Sequence, residues 1–278
     1  MVVALALGAA VSYGLTDFVG GTMGRRFSPF SMALVMQLAG ALLVASYAVL
    51  AGGDPRLADL GWALAAGTAN GIGTMFLYRG LAFGRMSVVS PVSAVSAALL
   101  PVLAGLLLGE RLGPWGWAGV LAALPGIWLV SRVSPATEDA DGRPTGLRDG
   151  ILAGLGFAGF FVALDRIPER AGLLPLAVNE VVAGAVIVGL AMLTGSRWRP
   201  SRGSWLWGSL TGALGALASA LFLAATQTGL LAIAAVLTSL YPAVTVMLAA
   251  AVHHERVHGG QVPGLALCLT AVALVAAR

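Results

Sequence analysis

Ten apolar segments, each about as long as a bilayer is thick, follow one another along this 278-residue chain and constrain its fold more than any other feature. A helix needs about 20 apolar residues to cross the hydrocarbon of a membrane. Only 10% of the residues are charged, whereas a soluble domain has roughly 25%, so a water-soluble globular fold is excluded. The sequence predicts an all-α integral membrane protein with ten transmembrane helices, over residues 2–23, 29–51, 60–79, 87–108, 114–132, 149–166, 173–194, 204–225, 230–252 and 261–277.

An internal repeat at an offset of 145 residues divides these segments into two sets of five. Glu110-Arg111 matches Glu255-Arg256 at this offset, and Trp62 matches Trp207. Because five is odd, the second set enters the membrane in the opposite direction. Inverted repeats of this kind are common in secondary transporters, whose substrate site lies near the midplane between the repeats; a duplicated scaffold without transport activity is the alternative. The predicted organisation is a first five-helix repeat over 1–133, a polar linker over 134–147 and an inverted second repeat over 148–278.

The basic residues indicate how the chain is oriented. All 16 are arginines, and they lie singly or in pairs beside the apolar segments. We therefore interpret them as topology anchors and expect no nucleic-acid partner. Eleven lie on the side of the membrane that holds the linker and five on the side that holds both termini. Because cytoplasmic loops are enriched in basic residues, the linker side is predicted to be cytoplasmic.

Two carboxylates within the predicted spans are candidates for function. An ionisable group in hydrocarbon costs several kcal/mol and usually faces a bundle interior or a wet cavity. Asp17 lies one helical turn after Tyr13, so both side chains share a helix face. Such a face could bind an amine or carry a coupling proton; alternatively, Asp17 pairs with Arg25 or Arg26 at the membrane surface. Glu180 is either a second proton site or a buried group that is hydrogen-bonded between helices.

One motif resembles an enzyme signature. His254, Glu255 and His258 fit the HExxH pattern of zinc proteases, in which two histidines bind zinc and the glutamate is a general base. The repeat argues against this reading, because the equivalent stretch Gly109–Gly113 has the Glu-Arg pair but no histidine. A membrane-embedded zinc protease is thus a remote alternative, and the sequence predicts no enzyme, no metal and no cofactor.

Three stretches together resemble the drug/metabolite transporter superfamily, and in particular its ten-span EamA-type members. They are Ser12–Gly21, Ser93–Leu112 and Leu237–Val257, of which the last two end in the Glu-Arg pair after a proline-containing helix. The resemblance implies ten helices around a central cavity that is lined by spans one, three, four, six, eight and nine. The polar and aromatic side chains expected to line it are Tyr13, Asp17, Asn70, Ser96, Phe157, Phe161, Thr211 and Tyr241.

The functional expectation follows from the inverted repeat and this resemblance. We expect a secondary transporter in the cytoplasmic membrane of a bacterium that exports a small metabolite, such as an amino acid or an amine, by alternating access. Asp17 and Glu180 are the candidates for proton coupling, and an uncoupled facilitator or channel is the alternative. Glu110, Arg111, Glu255 and Arg256 are expected to be structural. Since one chain already contains both repeats, a monomer or a weak homodimer suffices.

Overall fold

The computed structural model of the chain describes residues 1–24, 26–83, 86–131, 146–253 and 261–276. All regular structure in these ranges is helical. It consists of one turn of 3-10 helix (Glu169–Ala171) and the α-helices α1 (Val2–Gly24), α2 (Pro29–Ala51), α3 (Leu57–Phe83), α4 (Met86–Leu107), α5 (Pro114–Ser131), α6 (Leu147–Asp165), α7 (Leu174–Leu193), α8 (Arg202–Thr228), α9 (Leu231–Thr238), α10 (Tyr241–His253) and α11 (Gln261–Ala276).

The helices bear out the predicted ten-span, all-α membrane architecture, with α9 and α10 together forming the ninth span. Within the described residues, six spans are long and apolar enough to cross a bilayer by length and composition, and three shorter apolar helices accompany them. α3 has 27 residues, but Asp59, Asn70 and Arg79 lower its hydropathy. One side of the membrane holds the α1–α2, α3–α4 and α7–α8 connections, and we call it the linker face. The other side holds Met1 and the α4–α5 and α8–α9 connections, and we call it the termini face.

The ninth span is broken immediately before the cavity. Pro242 has no backbone N–H and cannot donate to the carbonyl of Thr238 as a continuous helix would require. The chain therefore leaves the helix at Ser239 and Leu240 and begins α10 at Tyr241, with the proline in the first turn, where it is best tolerated. The break puts Tyr241 at the start of a new helix in the middle of the span.

The contacts between helices follow the internal repeat. α3 packs on α6 and α7, as its repeat partner α8 packs on α1 and α2. α4 packs on α6, as α9 and α10 pack on α1, and α5 packs on its own counterpart, α11. Exchanging the two halves thus converts each of these contacts into another of them or into itself. Most extensive contacts join one half to the other, so neither half forms a separate bundle.

Glycines allow the two halves to approach closely. At the crossing of α3 and α6, a Cβ atom on Gly156 would lie 2.5 Å from the Cα atom of Gly73. Gly67 of α3 faces the backbone of α7 in the same way, and a Cβ atom there would lie 2.6 Å from the carbonyl oxygen of Asn179. Small residues at such crossings let membrane helices pack backbone against backbone.

Two ion pairs between described residues join the halves at opposite membrane faces. At the termini face, Arg170 donates to both carboxylate oxygens of Asp59, at 2.8 and 3.1 Å. At the linker face, Nη2 of Arg79 lies 2.6 Å from Oδ1 of Asp149. The backbone N–H of Arg56 and the Arg170 guanidinium hold the pKa of Asp59 below its usual range, against the opposing effect of burial. Both ends of α3 are therefore tied to the second half.

Candidate functional site

A central cavity lies between the two halves, at the level of the broken ninth span. The expectation that spans one, three, four, six, eight and nine would line it omitted two helices. α2 contributes Met36 and Gln37, and α7 contributes Glu180. The lining residues are Tyr13, Thr16, Asp17, Met36, Gln37, Asn70, Thr74, Leu77, Tyr78, Ala97, Phe157, Phe160, Phe161, Glu180, Gly212, Gly215, Ala216, Ser219 and Tyr241.

The two ends of the cavity differ in exposure. Asp17, Leu77 and Tyr78, which lie in the halves of their helices nearer the linker face, are half-buried. Phe161 and Ser219, which lie further toward the termini face, are each only 3% exposed. Of these lining residues, those nearer the linker face are the more exposed.

The carboxylates predicted for function both line the cavity, at different depths. Asp17 lies four residues beyond Tyr13 along α1, which corresponds to about 6 Å toward the linker face. Within the described residues, Asp17 forms no ion pair, so the pairing with Arg26 considered from the sequence is not observed, and Arg25 lies outside those residues. Glu180 is buried in the first half of α7, and its Oε1 atom accepts a hydrogen bond of 3.3 Å from Nδ2 of Asn179.

Aromatic side chains form much of the remaining wall. The rings of Tyr13 and Tyr241 meet edge to face with centroids 6.4 Å apart, and the Tyr13 hydroxyl shares a hydrogen bond of 2.9 Å with Ser219. Deeper in the cavity, Phe161 stacks on Phe222 with centroids 4.3 Å apart. Edge-to-face and offset pairs of this kind are favourable beyond their buried area. The aromatic pairs connect α1 to α10 and α6 to α8.

Unpaired amide groups lie at the same level. Nε2 of Gln37 is buried and has no hydrogen-bond partner among the described residues, and Oδ1 of Asn179 is in the same situation. A buried polar atom without a partner costs about 1–3 kcal/mol. Gln37 faces the cavity, so a bound molecule with an acceptor group could accept from its amide. Sequence reasoning missed this residue, although a lone amide within the second apolar segment was a usable signal.

Most of the sequence-predicted lining residues meet at this cavity, together with Glu180. Tyr13, Asp17, Asn70, Phe157, Phe161 and Tyr241 all line it. Two do not. Ser96 packs against Gly154 of α6, and its neighbour Ala97 faces the cavity instead. Thr211 donates to the carbonyl oxygens of Trp207 and Gly208 of its own helix at 3.1 and 3.0 Å, and its neighbour Gly212 takes the lining position.

Of the two Glu-Arg pairs, the structure describes only the one in the first repeat. The Glu110 carboxylate accepts hydrogen bonds from the backbone of α9, whereas Arg111 is exposed between α4 and α5. Glu255 and Arg256 lie outside the described residues, as do His254 and His258 of the HExxH pattern.

Comparison with known proteins identifies the family. The sequence profile of the EamA-like transporter family matches twice, over residues 1–132 and 146–277. The chain belongs to the EamA-like transporter family. Members of this family are membrane transporters of small molecules rather than enzymes, and the chain is an integral, multi-pass membrane protein.

Two further comparisons add to this. A search of curated proteins gives no match. One solved structure, titled only as the crystal structure of a protein, has 17% sequence identity and a TM-score of 0.74, over 99% of this chain and 94% of the other. At that identity the similarity shows a shared fold alone.

Proposed function

We propose that this EamA-family protein is a secondary transporter that exports a small amine or amino acid across the cytoplasmic membrane of a bacterium by alternating access. The observation that carries the proposal is the charge of the central cavity. Two carboxylates, Asp17 and Glu180, line it, and none of the described lining residues is basic. A cation entering this low-dielectric site gains from both carboxylates, whereas an anion meets repulsion.

The other lining groups suit the same class of ligand. Tyr13, Tyr241 and Phe157 present aromatic rings toward the cavity, and such rings attract ammonium groups through their negative faces. The unpaired amide of Gln37 supplies a donor for the carboxylate or carbonyl of an amino acid. Together these groups favour a compact cation with one acceptor over a sugar phosphate.

A thermal-shift screen in detergent tests the substrate class. We expect amines or amino acids to raise the unfolding midpoint and sugar phosphates to leave it unchanged, because a ligand that binds only the folded state adds about 2.7 kcal/mol at 100 times its Kd. Asp17→Asn and Glu180→Gln should reduce the shift, whereas Asp54→Asn, at an exposed site on the termini face, should not. A shift with sugar phosphates alone would contradict the proposal.

Proton coupling is the second part of the proposal. Asp17 lies on the accessible side of the cavity and Glu180 deeper, so a proton carried by either carboxylate could exchange with the substrate cation. In proteoliposomes, uptake driven by a pH gradient should be lost in Asp17→Asn while exchange of substrate across the membrane persists. Unchanged pH dependence would remove Asp17 from this role, and Glu180→Gln would then be the deciding variant. If uptake by the wild-type protein does not depend on the pH gradient, the protein is an uncoupled facilitator.

A further inference from the structure

The side chain of Glu110 connects the two halves of the protein at the termini face. Its Oε1 atom accepts from the backbone N–H of Leu231 at 2.6 Å, and its Oε2 atom accepts from that of Ala232 at 3.1 Å. These N–H groups begin α9 and have no partner within their own helix. A carboxylate at a helix N-terminus is further favoured by the helix dipole. The carboxylate of one repeat thus caps a helix of the other.

The residues before Glu110 place the carboxylate at that position. α4 ends in a Schellman-type turn in which Glu110 donates its N–H to the carbonyl oxygen of Gly105 at 2.9 Å. Gly109 has a φ of +90°, which side chains other than glycine rarely adopt. A Cβ atom on Gly105 would collide with the Glu110 carboxylate. The spacing of Gly105 and Gly109 suggests helix packing from the sequence alone, but in the structure it serves this turn.

The capped helix leads directly to the cavity wall. Every side chain from Leu231 to Thr238 is at most 1% exposed, so α9 is buried along its whole length. α9 packs against α1 and α4, and only Ser239 and Leu240 separate its end from Tyr241 of the cavity. A displacement of α9 would therefore move the wall of the cavity.

The second repeat does not repeat these glycines. Ala250 and His254 stand at the positions equivalent to Gly105 and Gly109. The pattern that positions Glu110 is consequently present in the sequence of the first repeat alone. The two repeats thus differ in sequence at the end of this helix, although their folds correspond.

We propose that Gly105, Gly109 and Glu110 form a latch that holds the termini face closed through α9 and gives the resting protein its preference for a cavity open to the linker face. The inference rests on the proposed alternating access, because the latch has to open once in each cycle. Glu110 is a positioning residue: it acts on the cavity through α9 and does not touch the substrate.

The rate at which a single cysteine is labelled shows whether the latch is closed, and no substrate is needed. The reporter is Ala216→Cys in the cavity, combined with Cys268→Ser, which removes the native thiol. Proteoliposomes are treated with the impermeant thiol reagent MTSET, and a protease site inserted in the linker identifies the outward face. Labelling from the termini face should be slow in this background and about tenfold or more faster in Glu110→Gln and Gly105→Ala, since each weakens a charge-assisted contact.

Glu169→Gln is the matched control, because it removes an exposed glutamate at the same face. It should leave the labelling rate unchanged. The inference is overturned if neither latch variant speeds labelling from the termini face while both elute as monodisperse protein and still label from the linker face. Equal acceleration in Glu169→Gln would overturn it too. Faster labelling without transport of any screened compound would uphold the latch and refute the proposed substrates.

Discussion

A close backbone contact between the two halves gives a sharp test of how they are held together. We consider Gly156→Ala, a change of one methyl group at the crossing of α6 and α3. The new Cβ atom would lie 2.5 Å from the Cα and N atoms of Gly73 and 2.8 Å from the carbonyl oxygen of Ala69. Ordinary contact begins at 3.4 Å, so the helices must separate by roughly 1 Å, because backbone atoms cannot rotate away as a side chain would.

The expected cost follows from these distances. Overpacking typically destabilises by about 1–3 kcal/mol, and a contact with backbone should lie at the upper end of that range. The better helix propensity of alanine returns at most about 1 kcal/mol. We therefore expect a net loss of about 2 kcal/mol, which is more than a tenfold change in the unfolding equilibrium.

The assay is thermal unfolding in detergent, followed by intrinsic tryptophan fluorescence. Gly189→Ala is the matched control, because nothing lies within 4 Å of a Cβ atom at that position of α7. The control should unfold at the wild-type midpoint or slightly above it, and Gly156→Ala should unfold clearly below it. Equal midpoints for the two variants would refute the argument that backbone contact at this crossing holds the halves together.

Three further predictions use the same assay. Phe161→Ala should lower stability by about 3–5 kcal/mol, because it removes a buried ring from the cavity wall; a loss below that of Tyr13→Phe would contradict this. Tyr13→Phe should cost about 1 kcal/mol, the value of its single hydrogen bond to Ser219, and Ser219→Ala should add no further loss in the double variant. Asp59→Asn should lower the midpoint at neutral pH and flatten its acid dependence. Because the folded-state pKa of Asp59 is lowered, its contribution is present above the unfolded value of about 3.9 and is lost as the pH falls below it; an unchanged acid profile would exclude that contribution.

The spans and the pairing of the halves could be predicted because their signals are long or repeated. A run of 20 apolar residues has few alternatives to a membrane helix, and the match of Glu110-Arg111 to Glu255-Arg256 fixed the offset between the halves. Asp17 and Glu180 could be selected because a carboxylate in an apolar run needs a wet or polar environment. Both line the cavity in the structure.

The remaining site residues could not be assigned because a helix turns by about 100° per residue, so neighbours face different surroundings. Ser96 and Thr211 were expected at the cavity, but Ala97 and Gly212 line it instead. In a transmembrane helix that is apolar on every side, nothing in the composition shows which face meets the cavity and which meets lipid. Met36 illustrates this, since its side chain alone gives no indication of a site.

The glycines of α4 show a different limit. Gly105 and Gly109 have the spacing of a helix-packing motif, but whether a glycine serves a helix crossing or a turn depends on where the helix ends. That end lies at Leu107, so Gly109 falls in the turn that directs Glu110 to α9. The contact with α9 is more than 100 residues away in sequence, and only the fold reveals it.

Transport through the central cavity is tested most directly by uptake into proteoliposomes. Two adjacent residues of α8 provide the comparison: Ala216 lines the cavity, whereas Leu217 is 51% exposed on the outer surface of the helices. With an amine or amino acid selected by the thermal-shift screen, Ala216→Trp should abolish uptake because the indole fills the cavity, and Leu217→Trp should retain it. Equal uptake by both variants would contradict a route through this cavity.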